Sequence, residues 1–186
     1  MPEADLRARL VKVGVDLLTR DGPQALSLRE IARSAGVSHG APRRYFPTHQ
    51  ALLAAIAREG YHQLGQQITD AVRDESEPAR SRVLQLGRVY LDFARGNRGM
   101  FELMFRHDLL QGNQIGLREV SRQLFAVLVD LVGKARPGVS ATVVAGAIWA
   151  NLHGVALLRQ WGSLEIAMQT TEIDPLLHAS IDAYLG

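Results

Sequence analysis

Apolar residues recur at helical spacing along the whole chain, and nowhere do they alternate over the length of a strand. A 3.6-residue repeat gathers them on one face, so the pattern restricts the chain to an all-α fold. Glycine and proline punctuate it. Asp21-Gly22-Pro23 closes a first helix expected at 3–20, with Leu6, Leu10, Val13 or Gly14, and Leu17 inward. Ser27-Leu28-Arg29-Glu30 has the form of a capping box and opens a short second helix that stops near Ala35-Gly36. Ser38 is expected to cap a third helix ending near Phe46, where Pro47 breaks the chain. Further helices are expected at 49–73, 79–95, 99–105, 115–134, 140–161 and 174–184. The breaks fall at Asn97, Gly112-Asn113, Pro137-Gly138 and Gly162-Ser163.

With 47% hydrophobic and 22% charged residues, the chain of 186 reads as globular, not disordered. It has no cysteine, which removes disulfides, thiolate zinc sites and thiol catalysis and fits a reducing, cytoplasmic setting. Residues 1–5 carry two acids and no apolar run, so no secretory signal is expected there. Residues 139–158 bear no formal charge, and a helix of that length would reach about 30 Å, the thickness of a bilayer core. Ser140, Thr142, Asn151 and His153 within it favour a buried helix over a membrane span.

The formal net charge is only +2, but its distribution is informative. No Asp or Glu occurs from residue 31 to 58, a stretch that holds Arg33, Arg43, Arg44, Arg58, His39 and His49. The same stretch contains most of two short helices joined by a turn at Gly36, a helix-turn-helix. In such a unit the second helix enters the major groove of duplex DNA. Its outward residues would be Ser38, His39, Gly40, Ala41, Arg43 and Arg44, with Arg29 able to reach a phosphate.

These residues carry a family likeness. Leu28-Arg29-Glu30-Ile31-Ala32, Ala35-Gly36-Val37-Ser38-His39-Gly40, Tyr45-Phe46-Pro47 and Ala51-Leu52-Leu53 resemble the TetR family of repressors over about residues 10–56. Tyr90-Leu91-Asp92-Phe93-Ala94, Met100-Phe101-Glu102-Leu103-Met104-Phe105 and Trp149 with His153-Gly154 are similar to one of its subgroups. The resemblance implies a DNA-binding domain at 1–48 and a ligand-binding and dimerisation domain at 49–186. It also implies a homodimer on a palindromic operator of double-stranded DNA, released by a small apolar or amphipathic effector. It assigns Ser27, Tyr45 and residue 49 to phosphates, Ser38, His39 and Ala41 to base edges, and Gly40 to close approach of the duplex. Two positions depart from the family pattern. Arg43 stands where tyrosine is frequent, and His49 stands where lysine is usual. A histidine anchor predicts operator affinity that varies with pH.

In the second half, Gly146, Ala150 and Gly154 form a stripe of small residues on one helix, and Leu177, Ile181 and Tyr184 an apolar stripe on the last. The resemblance implies that both stripes meet their copies across a two-fold axis; packing within one protomer is the alternative. Phe93, Met100, Phe101, Met104, Phe105, Phe125, Leu128 and Trp149 either line an effector cavity or form ordinary core. His153 either orients a ligand there or bonds a neighbouring side chain. An enzyme is not expected. The six histidines are scattered without metal-ligand spacing, and no phosphate loop, cofactor motif or His-Glu-x-x-His run occurs. The remaining alternative is a ligand-binding helical module that has lost DNA binding.

Overall fold

The computed structural model of the chain describes residues 3–106 and 116–186. Among the described residues there is no strand. The α-helices are α1 (Glu3–Asp21), α2 (Leu28–Ser34), α3 (Ala41–Tyr45), α4 (His49–Ala71), α5 (Ala79–Gly96), α6 (Arg98–Phe105), α7 (Leu117–Ala135), α8 (Ala141–Gln160), α9 (Ser163–Met168) and α10 (Asp174–Leu185). A 3-10 turn, Pro23–Ala25, joins α1 to α2. The expected break at Gly112-Asn113 lies outside the described residues, and α9 has no counterpart among the expected helices.

The chain forms two compact units. One holds residues 3–62 together with 97–106 and 116–120, and the other 63–96 together with 121–186. The packing boundary thus falls inside α4, beyond the 48/49 limit of the expected DNA-binding domain, and α6 belongs to the first unit.

In the first unit α1 packs on α2, α3 and α6 around Leu10, Leu17, Leu18, Ile31, Ala32, Phe46, Leu52 and Ile56. Gly14 settles which residue of the Val13-Gly14 pair faces inward: a Cβ there would lie 2.4 Å from Ile56 Cδ1. α4 and α6 approach just as closely at Gly60, where a Cβ would lie 2.6 Å from the sulfur of Met100 and 2.7 Å from that of Met104. Beside it the Tyr61 hydroxyl donates to the Met104 carbonyl at 3.0 Å. Burial pushes the Tyr61 phenol from its usual 10 up to about 12. Tyr61→Phe should lower stability by about 1–3 kcal/mol, because it leaves a buried carbonyl without a donor. In the wild type, stability should fall as pH rises from 10 towards about 12, where the unfolded phenol ionises first. Denaturant titrations at neutral and alkaline pH check both points, and the alkaline loss should be smaller in the variant.

In the second unit α5, α8 and α10 pack on one another. Gly87 of α5 lets α10 come close, since a Cβ there would lie 2.8 Å from Leu177 Cδ1. Arg88 pairs with Asp174 at 3.0 Å and Arg80 with Asp182, and the Arg136 guanidinium donates to the Tyr184 carbonyl at 2.6 Å. These contacts correct the expectation for the last helix. Leu177 and Ile181 are 1% and 0% exposed, filling the core of their own protomer instead of an outward face. The outward residues of α10 include Ala179 and Ala183, with Tyr184 half-buried.

α8, the helix that carries the uncharged stretch, is also not buried in the way expected. Ala145, Ile148, Leu152, Val155 and Ala156 face inward, but only 28% of its apolar stretch is buried. By length and composition it could cross a membrane. On the opposite side Val143 is 69% exposed, Ala150 and Leu158 are exposed, and a Cβ at Gly146 or Gly154 would meet nothing within 4 Å. Beyond the helix Trp161 and Ile166 are exposed as well.

Candidate nucleic-acid interface

The interface begins at the N-terminus of α2. Ser27 caps it: its extended backbone lets Oγ accept from the Glu30 N–H at 3.1 Å. The reciprocal half of the capping box does not form. The Glu30 carboxylate takes the Arg33 guanidinium at 2.5 Å and the Ser34 hydroxyl at 3.1 Å, while the Ser27 N–H donates to the Ala25 carbonyl. The bond from Arg33 holds Glu30 below the usual carboxylate range. Arg33 is therefore occupied, whereas Arg29 is exposed and has no carboxylate partner among the described residues. Past Ala35 the chain turns at Gly36, whose φ of 65° is the left-handed conformation that glycine adopts without strain.

α3 is shorter than its sequence pattern suggested. It starts at Ala41, and Ser38 is not its N-cap. Pro42 supplies the reason. A helix capped at Ser38 would need an N–H from residue 42 for the Ser38 carbonyl, and proline has none. That carbonyl accepts instead from Ala41 at 3.0 Å, closing a tight turn. Proline in the first turn then suits the helix that follows. Pro42 and Phe46, four residues apart, are buried and pin α3 to the core. The opposite edge exposes Ser38, His39, Gly40, Arg43 and Arg44, with Ala41 and Tyr45 half-buried at its sides. Among the described residues no carboxylate pairs with Arg43 or Arg44. Gly40 has ordinary helical angles, and a Cβ there would meet nothing within 4 Å. Neither the backbone nor the protomer's packing requires glycine at that point.

His49 begins α4, but its Nε2–H donates to the Leu26 carbonyl at 2.5 Å. This bond ties the start of α4 to the residue before the α2 cap. It commits one ring nitrogen to the protein's own backbone.

The other candidate residues divide between the units. Met100, Phe101, Met104 and Phe105 belong to the first, where the two methionine sulfurs fill the space over Gly60. Phe93, Phe125, Leu128, Trp149 and His153 belong to the second. There His153 Nδ1 and the Tyr90 hydroxyl share a hydrogen bond at 2.8 Å. Trp149 lies 6.1 Å from His153 and 6.1 Å, edge-on, from Phe125. Burial holds His153 below its usual 6.5, favouring the neutral ring. Since the unfolded histidine binds its proton more readily, this group costs stability as pH falls below 6.5 and nothing above it. Melting temperatures across that range should decline more steeply for the wild type than for His153→Gln.

Sequence comparison agrees with this arrangement. Residues 10–56 match the bacterial regulatory proteins of the tetR family, and residues 83–184 match the tetracyclin repressor-like C-terminal domain. The chain belongs to the TetR family. A solved structure of a protein with unknown function from Rhodococcus sp. RHA1 is 31% identical, with a TM-score of 0.83 over 97% of this TetR-family chain and 93% of that one. An uncharacterized HTH-type transcriptional regulator of Mycobacterium tuberculosis is 28% identical over 142 residues, 76% of this chain and 68% of that protein. The nucleoid occlusion factor SlmA of Pasteurella multocida is 32% identical over 89 residues, 48% of this chain and 44% of SlmA. The chain spans about half the length of the SlmA proteins it matches.

Some features of this TetR-family chain were not legible one residue at a time. Tyr90 stands within a sequence motif, but its bond to His153 joins residues 63 positions apart. Ala179 and Ala183, small residues at helical spacing, carried the signal for the outward face of α10.

Proposed function

We propose that this TetR-family chain is a dimeric, DNA-binding transcriptional regulator of the cytoplasm, acting as a repressor that a small apolar or amphipathic effector releases from a palindromic operator. The observation that carries this reading is the exposed edge of α3. Ser38, His39, Gly40, Arg43 and Arg44 face outward without a carboxylate partner among the described residues, on a helix fixed from behind by Pro42 and Phe46. Arg43 and Arg44 suit phosphates, as do Ser27, Arg29 and Tyr45 at the flanks; Ser38, His39 and Ala41 suit base edges. An open Gly40 suits a duplex that comes close to the backbone. His49 acts chiefly by holding α4 to Leu26.

The second copy is expected on the uncovered side of α8, around Gly146, Ala150 and Gly154, with Ala179, Ala183 and Tyr184 of α10 beside it. The effector is expected in the second unit, against Trp149, His153 and Phe125, with Phe93 and Leu128 behind them. Met100, Phe101, Met104 and Phe105 are assigned to packing over α4.

Binding to a random-sequence duplex as a function of salt tests the DNA reading. Affinity should fall steeply as salt rises, with a logarithmic slope of about −0.9 for each phosphate neutralised. Replacing Arg43 and Arg44 together by alanine should reduce that slope by about 2. A protein with no affinity for duplex DNA at low salt would instead be a ligand-binding module.

A further inference from the structure

We infer that Arg7, at the start of α1, is a further phosphate-binding residue that extends the DNA contact from α3 onto the first helix. The inference rests on the DNA-binding reading above. It starts from a contact the sequence pattern does not foretell: the Arg7 guanidinium lies over the Phe46 ring, 5.4 Å from its centroid. Phe46 is the residue at which α3 ends, directly after Arg43, Arg44 and Tyr45, and its N–H closes the last turn onto the Pro42 carbonyl at 2.8 Å. The contact therefore holds a cation from α1 at the C-terminal end of the proposed reading helix.

Three features distinguish this arginine from a solvated one. Its position is set, because α1 packs on α2 and α3 and Leu10, one turn further along, is 0% exposed. It is exposed, and among the residues whose side chains are described no carboxylate pairs with it, whereas Arg20 and Arg33 of the same unit are paired with Asp21 and Glu30. And it is held by an aromatic face, which occupies none of its N–H donors. An exposed guanidinium fixed by stacking, which leaves its donors off the ring, matches a phosphate oxygen of a duplex lying along α3.

The alternative is that Arg7 only covers the Phe46 ring. Charge and packing can be separated with the full chain. Arg7→Leu keeps an apolar cover and removes the charge; Arg7→Gln does so with a polar tip, should the leucine variant fail to fold. Arg7→Lys keeps the charge. Arg73→Leu, at an arginine paired with Asp70 in the other unit, controls for net charge. Random-sequence duplex is titrated over a range of salt, and thermal midpoints are recorded in parallel.

Arg7→Leu and Arg7→Gln should each lower the salt slope by about 1 and weaken low-salt binding several-fold. Arg7→Lys and Arg73→Leu should keep the wild-type slope. A folded Arg7→Leu or Arg7→Gln protein with an unchanged slope would overturn the assignment of Arg7 while leaving the DNA-binding reading intact. A wild-type protein without salt-dependent DNA affinity would overturn both.

Discussion

Ala150→Arg is expected to leave a folded protomer that sediments as a single chain and no longer holds duplex DNA. Ala150 is exposed, at the centre of the side of α8 that its own protomer does not cover. Apolar residues flank it on both sides in a balanced order. Gly146 and Gly154 lie four residues away in either direction, and Val143 and Leu158 lie seven and eight away. Two copies of such a helix crossing antiparallel at Ala150 would set Gly146 against Gly154, where neither has a side chain to obstruct the approach. They would also set Val143 against Leu158. The surface is then its own complement, as a two-fold interface must be. The uncovered apolar area exceeds the scattered single residues that a monomer ordinarily exposes.

An arginine at the crossing point would bring two guanidinium groups together on the axis and bury both without counter-charges. The penalty for desolvation and for like charge is large compared with what an interface of ordinary size supplies. DNA affinity falls with the dimer, because two reading helices on one duplex bind far more tightly than one. Sedimentation velocity and duplex titration read the two outcomes. Ala126→Arg, at an exposed position of α7, should change neither. An Ala150→Arg protein with the wild-type mass would remove α8 from the interface, and a monomeric wild type would remove the dimer.

The fold was largely legible in the sequence because glycine and proline mark most of its helix ends. What escaped depended on information from elsewhere in the chain. The spacing of Leu177 and Ile181 marks an apolar face, but it does not say whether the wall opposite belongs to α5 and α8 of the same protomer or to a second copy. Gly87, which admits Leu177, decides that, and it lies 90 residues away. In the same way the uncharged stretch 139–158 told of apolar surroundings without telling what supplies them. The local errors have local causes. Pro42 withholds the hydrogen bond that would have let α3 start at Ser38, and Arg33 draws Glu30 away from the second half of its capping box. At the candidate interface, sequence pattern found the outward residues of α3. It did not find the contacts that fix them, Arg7 on Phe46 and His49 on Leu26, because each joins side chain and partner across a gap of more than twenty residues.

Phe46→Ala should be the most damaging single truncation in the first unit, lowering stability by about 3–5 kcal/mol. The ring is 1% exposed, among the largest fully buried side chains of the protein, and it lies where α3 ends and the chain turns towards α4. Its removal opens a cavity beneath the reading helix and leaves Pro42 as the main inward anchor of a five-residue helix. So short a helix has little stability of its own, because it owes its form to packing. The loss of the ring also removes the face on which Arg7 rests, worth about 0.5–1 kcal/mol at an exposed site. DNA affinity should therefore fall even at temperatures where the rest of the chain stays folded. Phe46→Leu, which refills most of the volume without an aromatic face, should recover the greater part of the stability. Guanidinium titrations of the three proteins, with duplex binding measured well below each midpoint, separate the two effects. A Phe46→Ala loss under about 1 kcal/mol would mean that the site collapses easily and that α3 is held by other contacts.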